Sequence, residues 1–146
     1  MRLKLVSVGK ERSDPTAPLV AEYAGRIRKF VPFEEVVLKL DTAQRIAERM
    51  RRESEKSDLL VALDERGEQV TSRELAAMVG EWMNRGLSEV TLVIGGPDGL
   101  PPAIRDAAGL RLGLSKMTLP HRLARLVLVE QLYRALAILR NVPYQK

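Results

Sequence analysis

Apolar positions along this chain follow two periods, one typical of β-strands and one typical of α-helices. Short aliphatic and β-branched runs predict strands at residues 3–8, 33–40, 59–63 and 91–94, and a shorter one near residues 110–114. Between them, helical spacing predicts helices that end near residue 30, start near residue 42, and span about 71–86 and 101–108. Because strand and helix alternate, we expect an α/β fold with a mostly parallel sheet flanked by helices. No linker or repeat divides the chain, so residues 1–146 are expected to form one domain.

The last predicted helix, at about residues 122–139, carries apolar residues around nearly its whole circumference. A helix of this kind must be buried on all sides. In a chain this small, we expect one face to cover the sheet and the other, including Leu132, to meet a second subunit. Glu130 and Arg134 are four residues apart and can form an ion pair on that surface. The pattern therefore predicts a homodimer.

A glycine-rich loop follows the most apolar strand. It reads Gly95-Gly96-Pro97-Asp98-Gly99, and in open α/β sheets ligands bind at the carboxyl ends of the strands. Glycine there would let a flat or charged ligand lie directly against the main chain. The alternative is a tight turn that binds nothing. The loop matches neither the phosphate-binding P-loop pattern nor the dinucleotide-binding glycine pattern.

A second loop, at residues 114–121, is unusually apolar for a connection between elements. Met117, Leu119 and Pro120 alternate with hydroxyl-bearing residues, whereas loops are normally polar. These side chains need an apolar surface to cover, and a flat aromatic base flanked by polar main-chain groups would suit them. The alternative is packing beneath the dimer interface.

Composition restricts the chemistry further. The net charge of +5 favours an anionic partner, with nucleic acid ahead of a membrane surface. Because there is no cysteine and His121 is the single histidine, the chain excludes disulfides, thiolate metal sites, cysteine nucleophiles and histidine-rich metal sites, and no metal site is predicted. Charges at the N-terminus argue against a signal peptide, and no apolar run reaches membrane-spanning length. We expect a soluble protein of the cytoplasm with no membrane contact.

Several of these segments, taken in order, resemble one known family. They are residues 94–100 (IGGPDGL), Leu114-Ser115 with Thr118-Leu119-Pro120-His121, residues 130–135 (EQLYRA), and Asn141 with Pro143-Tyr144. This set is similar to the bacterial methyltransferases that modify pseudouridine at N3 in large-subunit ribosomal RNA, which are small enzymes of the SPOUT class. The resemblance implies a C-terminal trefoil knot, a homodimer, S-adenosylmethionine as cofactor, and ribosomal RNA or the ribosome as partner.

The resemblance also implies where the cofactor and substrate bind. In the family the cofactor lies among three loops, and these map here onto Leu63, onto Gly95 and Gly96, and onto Lys116, Met117, Thr118, Leu119, Pro120 and His121. His121 is expected to form a hydrogen bond in this site and could instead act as a base.

Three residues near the C-terminus are candidates for catalysis. Arg134 would stabilise the developing imide anion or hold a phosphate, Glu130 would orient Arg134, and Tyr144 would stack on a base. The alternatives are an ordinary interface ion pair and a frayed terminus. Family members commonly have histidine where this chain has Gln145, so a titrating role for that position is in doubt.

Two other functions remain open from the sequence. One is a ribosome-binding factor that kept the fold and lost the chemistry. The other is a nucleotide-binding regulatory module.

Overall fold

A computed structural model describes residues 1–9 and 14–144 of the chain, so Gln145 lies outside the described residues. Strands and helices alternate through the described part. Their bounds are β1 (Arg2–Val8), α1 (Ala17–Ile27), β2 (Phe33–Leu38), α2 (Ala43–Ser54), β3 (Leu59–Gln69), α3 (Ser72–Asn84), β4 (Glu89–Val93), α4 (Pro102–Ala107), β5 (Leu110–Gly113) and α5 (His121–Leu139). This order confirms the predicted α/β class.

The strands form one sheet in the order β2-β1-β4-β3-β5, and every pairing between neighbours is parallel. Parallel strands all present their carboxyl ends at one edge, and the loops after β3, β4 and β5 therefore meet there. The prediction that the third strand ends at residue 63 needs correction. Pairing of β3 with β5 shifts between Leu63 and Glu68, both of which pair with Leu112, and then continues to Gln69. Residues 64–67 thus form an excursion at the edge where the loops meet.

Helices cover both faces of the sheet. On one face, Leu5 belongs to a buried cluster that includes Leu128 and Leu132 of α5. On the other face, Val6 belongs to a cluster with Met50 of α2 and residues of α4. Neighbouring residues of β1 belong to clusters on opposite faces of the sheet, because successive side chains of a strand point to opposite faces. Helix α5 packs against both α1 and α3.

The structure corrects the predicted role of Leu132. Its side chain is 0% exposed and lies in the core of the single chain, so it does not face a partner. Other positions of α5 are exposed instead, including Leu123 and Ile138. The apolar circumference of α5 therefore consists of a core-facing side and a separate exposed stripe. Among the described residues, none of the helices is long and apolar enough to span a membrane.

Candidate functional site

A cavity of about 550 Å³ lies at the carboxyl edge of the sheet. Its walls come from residues 63–65 at the start of the β3 excursion, from residues 94–100 after β4, and from the loop between β5 and α5. Three loops that are distant in sequence meet here because the parallel strands place their carboxyl ends side by side. The volume is within the range of about 300–1,000 Å³ that is usual for small-molecule sites.

The cavity brings together nearly all of the residues predicted to bind a cofactor. The lining includes Leu63, Gly95, Gly96, Met117, Thr118, Leu119, Pro120 and His121. Lys116 is the exception, because its side chain is exposed and it does not contribute to the lining. Met117 is 79% exposed, so its apolar side chain lies open to solvent.

The glycine loop is closed by its own main chain. The amide of Gly99 donates to the carbonyl of Gly96 at 2.9 Å, and Gly99 has φ +80°. A Cβ on Gly95 would lie 2.3 Å from the carbonyl carbon of Gly99, which no side chain can tolerate. A Cβ on Gly96 would point at Val8, 3.1 Å from its Cγ1. Gly95 is therefore required by the packing of the loop itself and Gly99 by its backbone conformation, whereas Gly96 lies in tight contact with β1.

The loop before α5 is tied to the excursion in β3. Thr118 Oγ1 donates to Glu65 Oε2 at 2.8 Å, and the amide of Met117 donates to Ser115 Oγ at 2.9 Å. Helix α5 then starts at His121. These bonds hold the apolar segment 117–120 across one side of the cavity.

An ion pair inside the cavity was missed by the sequence analysis. Arg105 Nε lies 3.3 Å from Asp64 Oδ2, and the carboxylate side chain is only 11% exposed. Both residues line the cavity. Asp64 directly follows the predicted end of a strand, which was a usable signal, but nothing in the sequence connects it with Arg105. The pair places one cation and one carboxylate against whatever the cavity holds.

The three predicted catalytic residues form a second cluster. Glu130 Oε2 accepts hydrogen bonds from Arg134 Nε at 3.1 Å and Nη2 at 2.7 Å. Tyr144 Oη donates to the same oxygen at 2.8 Å and lies 3.1 Å from Tyr23 Oη. Burial disfavours the charged carboxylate, but the hydrogen bonds from Arg134 and Tyr144 outweigh it and lower the pKa of Glu130. Glu130 is therefore ionised at neutral pH.

Tyr144 is fixed by contacts of both its ring and its hydroxyl group. Its ring meets Tyr133 edge-on with centroids 4.7 Å apart, and the Arg134 guanidinium lies 4.5 Å from its ring centroid. Burial, followed by the hydrogen bonds to Tyr23 and Glu130, raises the pKa of Tyr144. The phenol is therefore neutral at physiological pH and serves as a donor, and Tyr144 is docked rather than frayed.

The Glu130–Arg134–Tyr144 cluster and the cavity are separate in one chain. None of the three residues lines the cavity. At about 1.5 Å per helical residue, His121 and Arg134 lie roughly 20 Å apart along α5. No group of three or more histidine, cysteine, aspartate or glutamate side chains in the described part of the chain could hold a metal ion.

Comparison with known proteins gives consistent matches over the whole chain. A family model described as "Predicted SPOUT methyltransferase" matches residues 1–145. The "Ribosomal RNA large subunit methyltransferase H" of Anaeromyxobacter sp. (strain Fw109-5) is 46% identical, and the match covers 100% of both chains. The protein of the same name from Sorangium cellulosum is 41% identical over 99% of both chains.

A solved structure has the same fold. It is a probable methyltransferase from Bordetella pertussis Tohama I, with a TM-score of 0.63 and 17% identity over 92% of this chain and 94% of that chain.

Proposed function

The chain belongs to the SPOUT methyltransferase family, and on that basis we propose that it methylates a pseudouridine at N3 in large-subunit ribosomal RNA, with S-adenosylmethionine as methyl donor. The observation that carries the proposal is the cavity at the sheet edge. The loops that line it are those at which the family resemblance implies cofactor binding, and the fold brings them together.

The groups that line the cavity suit S-adenosylmethionine. Main chain of the glycine loop offers amides and carbonyls to a flat heterocycle, and Leu119 and Leu63 offer apolar surface beside it. The Arg105–Asp64 pair provides charged groups for the polar ends of the molecule. When bound, S-adenosylmethionine would supply an electrophilic methyl group on a positively charged sulfur, for transfer to the imide nitrogen of the substrate.

The protein contributes chiefly position and charge to this reaction. The imide proton leaves before or during the transfer, to solvent water or to His121 acting as a base, and no covalent enzyme intermediate or metal ion is needed. Holding the nitrogen in line with the methyl carbon supplies most of the acceleration. A fixed cation near the imide oxygens favours the anionic nitrogen. Arg134 is suited to this role or to holding a phosphate, because Glu130 and the ring of Tyr144 fix its guanidinium from two directions.

The separation of the cluster from the cavity supports a homodimer with composite sites. Arg134 is too far along α5 to reach the cavity of its own chain, so it would act on a substrate held in the partner's cavity. The exposed stripe of α5 offers the contact surface, since Ile138 and Val142 line a groove of about 520 Å³ beside Arg134 and Tyr144. Both apolar side chains are more than one-third exposed, at 37% and 39%. Covering them removes apolar surface from water, which favours association.

Two further features belong to the same proposal. Family membership supports a trefoil knot in the C-terminal part of the chain. A ribosomal substrate places the enzyme in the cytoplasm.

Calorimetry and a methyl-transfer assay test the proposal together. Purified protein is titrated with S-adenosylmethionine, and tritiated donor is then offered with free ribosomal RNA, large subunits or whole ribosomes. We expect cofactor binding and incorporation of label into one nucleotide, located by mass spectrometry as a methylated pseudouridine. The Lys116→Ala variant is the matched control, because Lys116 lies on the same loop but outside the cavity lining and should leave the affinity unchanged.

Other outcomes separate the remaining functions. A protein that binds ribosomes without binding S-adenosylmethionine would be a ribosome-binding factor. One that binds the cofactor but labels no RNA would contradict the proposed substrate.

Composite sites can be tested by mixing subunits. A Gly95→Ala chain, with a damaged cavity, and an Arg134→Ala chain, with a damaged cluster, should each be inactive alone. Co-expressed, they should form heterodimers with one intact site and recover part of the wild-type activity. No recovery in a purified heterodimer would show that cluster and cavity do not work across subunits.

A further inference from the structure

A second, smaller cavity lies beside the cofactor cavity. Its volume is about 120 Å³, and it is placed at the carboxyl end of β1 between that strand, the end of β4 and the first turns of α5. We call it the β1 cavity. Ile94 and His121 line both cavities, so the two cavities adjoin at these side chains.

The walls of the β1 cavity are mostly apolar, with a few charged side chains whose charges are balanced. Arg125 lines it and pairs with Glu35 at 2.8 Å and with Asp14 at 3.6 Å. Asp14, also in the wall, accepts from the amide and the hydroxyl of Thr16. Arg122 also lines the cavity, and its charge acts on Asp14. Because two arginines are opposed by the two carboxylates of Asp14 and Glu35, the cavity suits a neutral ring with a polar edge better than a phosphate.

Ser7 adds an independent sign that the cavity receives a polar group. Its side chain lines the cavity and is only 4% exposed. Its Oγ has no hydrogen-bond partner among the described residues. Buried hydroxyls are normally hydrogen-bonded, so an unpaired one in a cavity wall indicates a partner that arrives from outside.

The size restricts what can enter. A space of about 120 Å³ is well below the roughly 300–1,000 Å³ of sites that enclose whole drug-sized ligands. It has room for one six-membered heterocycle, whereas the ribose and phosphate of the same nucleotide would stay outside. Enzymes that modify a base commonly take it out of its stack into such a pocket.

From the position, charge balance and size of the β1 cavity, we propose that it is the subsite for the target base. A uracil-type ring enters with its imide edge toward Ile94 and His121, where the two cavities adjoin, so that its imide nitrogen faces the cofactor cavity. Ser7 Oγ forms a hydrogen bond with a polar group of the ring. This assignment rests on the proposed methyl transfer and adds the location of the acceptor.

Two substitutions of Ser7 test the assignment, one that fills the β1 cavity and one that removes only the hydroxyl group. Ser7→Leu places an apolar side chain in the β1 cavity, whereas Ser7→Ala keeps the space and removes only the hydroxyl. We expect Ser7→Leu to bind S-adenosylmethionine with wild-type affinity but to lose at least about a hundredfold in kcat/KM on ribosomes. Ser7→Ala should lose no more than about tenfold, the range of one neutral hydrogen bond.

Thr91→Val is the matched control for changing a buried hydroxyl in the sheet. Thr91 is 0% exposed, and its hydroxyl contacts Ser57, away from both cavities. This variant should leave kcat/KM unchanged.

A direct binding measurement accompanies the kinetics. With S-adenosylhomocysteine bound, fluorine NMR of 5-fluorouridine should show broadening with wild type and Ser7→Ala, and none with Ser7→Leu. Wild-type kcat/KM in folded Ser7→Leu would overturn the assignment, and so would loss of cofactor affinity in that variant. If wild type itself neither binds the cofactor nor methylates RNA, the proposed function fails, which is a different result.

Discussion

Replacing Glu130 by glutamine tests whether the Glu130–Arg134–Tyr144 cluster takes part in methyl transfer. Oε2 of Glu130 accepts two hydrogen bonds from Arg134, at 3.1 and 2.7 Å, and one from Tyr144 at 2.8 Å. Glutamine keeps one acceptor oxygen of similar position but carries no charge. The change therefore weakens the hold on Arg134 and Tyr144 with little change in shape.

The expected loss follows from the kind of hydrogen bond. Bonds to charged groups contribute about 1.5–3 kcal/mol net, and neutral ones about 0.5–1.5 kcal/mol. The side chains of Arg134 and Glu130 are 22% and 20% exposed, so solvent screens part of the difference. We expect a net loss of about 1.4 kcal/mol in holding the cluster, which corresponds to roughly a tenfold fall in kcat/KM.

The assay is the initial rate of methyl transfer to ribosomes at subsaturating substrate. Cofactor affinity, measured by calorimetry, should be unchanged because the cluster does not line the cavity. Asp106→Asn is the control, since Asp106 and Arg111 form an ion pair whose side chains are 75% and 46% exposed. Wild-type kcat/KM in Glu130→Gln would show that the cluster is only structural. An equal loss in cofactor affinity would show that it acts through the cavity instead.

Three further predictions concern the loop, the interface and pH. Gly95→Ala should abolish cofactor binding in calorimetry. Gly25→Ala in α1 is the control, because a Cβ there meets nothing within 4 Å; this variant should bind the cofactor normally, and its free energy of unfolding in urea should rise by about 0.5–1 kcal/mol. Ile138→Asp should shift the protein toward monomer in analytical ultracentrifugation, whereas Leu19→Asp, at an exposed position of α1, should not. A fully dimeric Ile138→Asp variant would place the interface elsewhere. The pKa of Glu130 is lowered in the fold, so its stabilising contribution is complete above the ordinary carboxyl pKa of about 4.3 and is lost as the pH falls further. The difference in urea midpoint between wild type and Glu130→Gln should therefore shrink below that pH. A difference that stays constant would contradict the lowered pKa.

The periodicity of the chain was enough to predict the sheet and its helices. Strands with continuous apolar runs are buried on both faces, and this habit is typical of parallel sheets. That the loops after β3, β4 and β5 meet at one edge was predictable for the same reason, whereas their assignment to a cofactor came from the family resemblance and stays a prediction. The excursion at residues 64–67 was not predictable, because pairing of β3 with β5 resumes at Glu68. That resumption depends on the neighbouring strand and leaves no local signal.

The orientation of α5 and the contacts made by distant residues needed the structure. A helix that is apolar all round does not indicate which side faces the core, so Leu132 was assigned to the wrong side. Arg105 reaches Asp64 from another element, and Tyr144 reaches Tyr23 across most of the chain. Ser7 gave no signal either, because a single serine in a strand acquires meaning only when its hydroxyl is seen to be buried without a partner.

Helix α5 also constrains how two chains can combine. It is one continuous helix from His121 to Leu139, with no proline or glycine to bend it, so its two ends keep a fixed separation. His121 lines the cavity at the sheet edge at one end, and Arg134 lies near the other. If two α5 helices paired side by side in parallel, each Arg134 would meet the partner's Arg134 and both cavities would lack a cluster. Antiparallel pairing through the stripe that includes Ile138 instead brings each cluster toward the partner's cavity. The proposed composite site therefore requires an antiparallel arrangement of α5, with two equivalent sites related by the twofold axis.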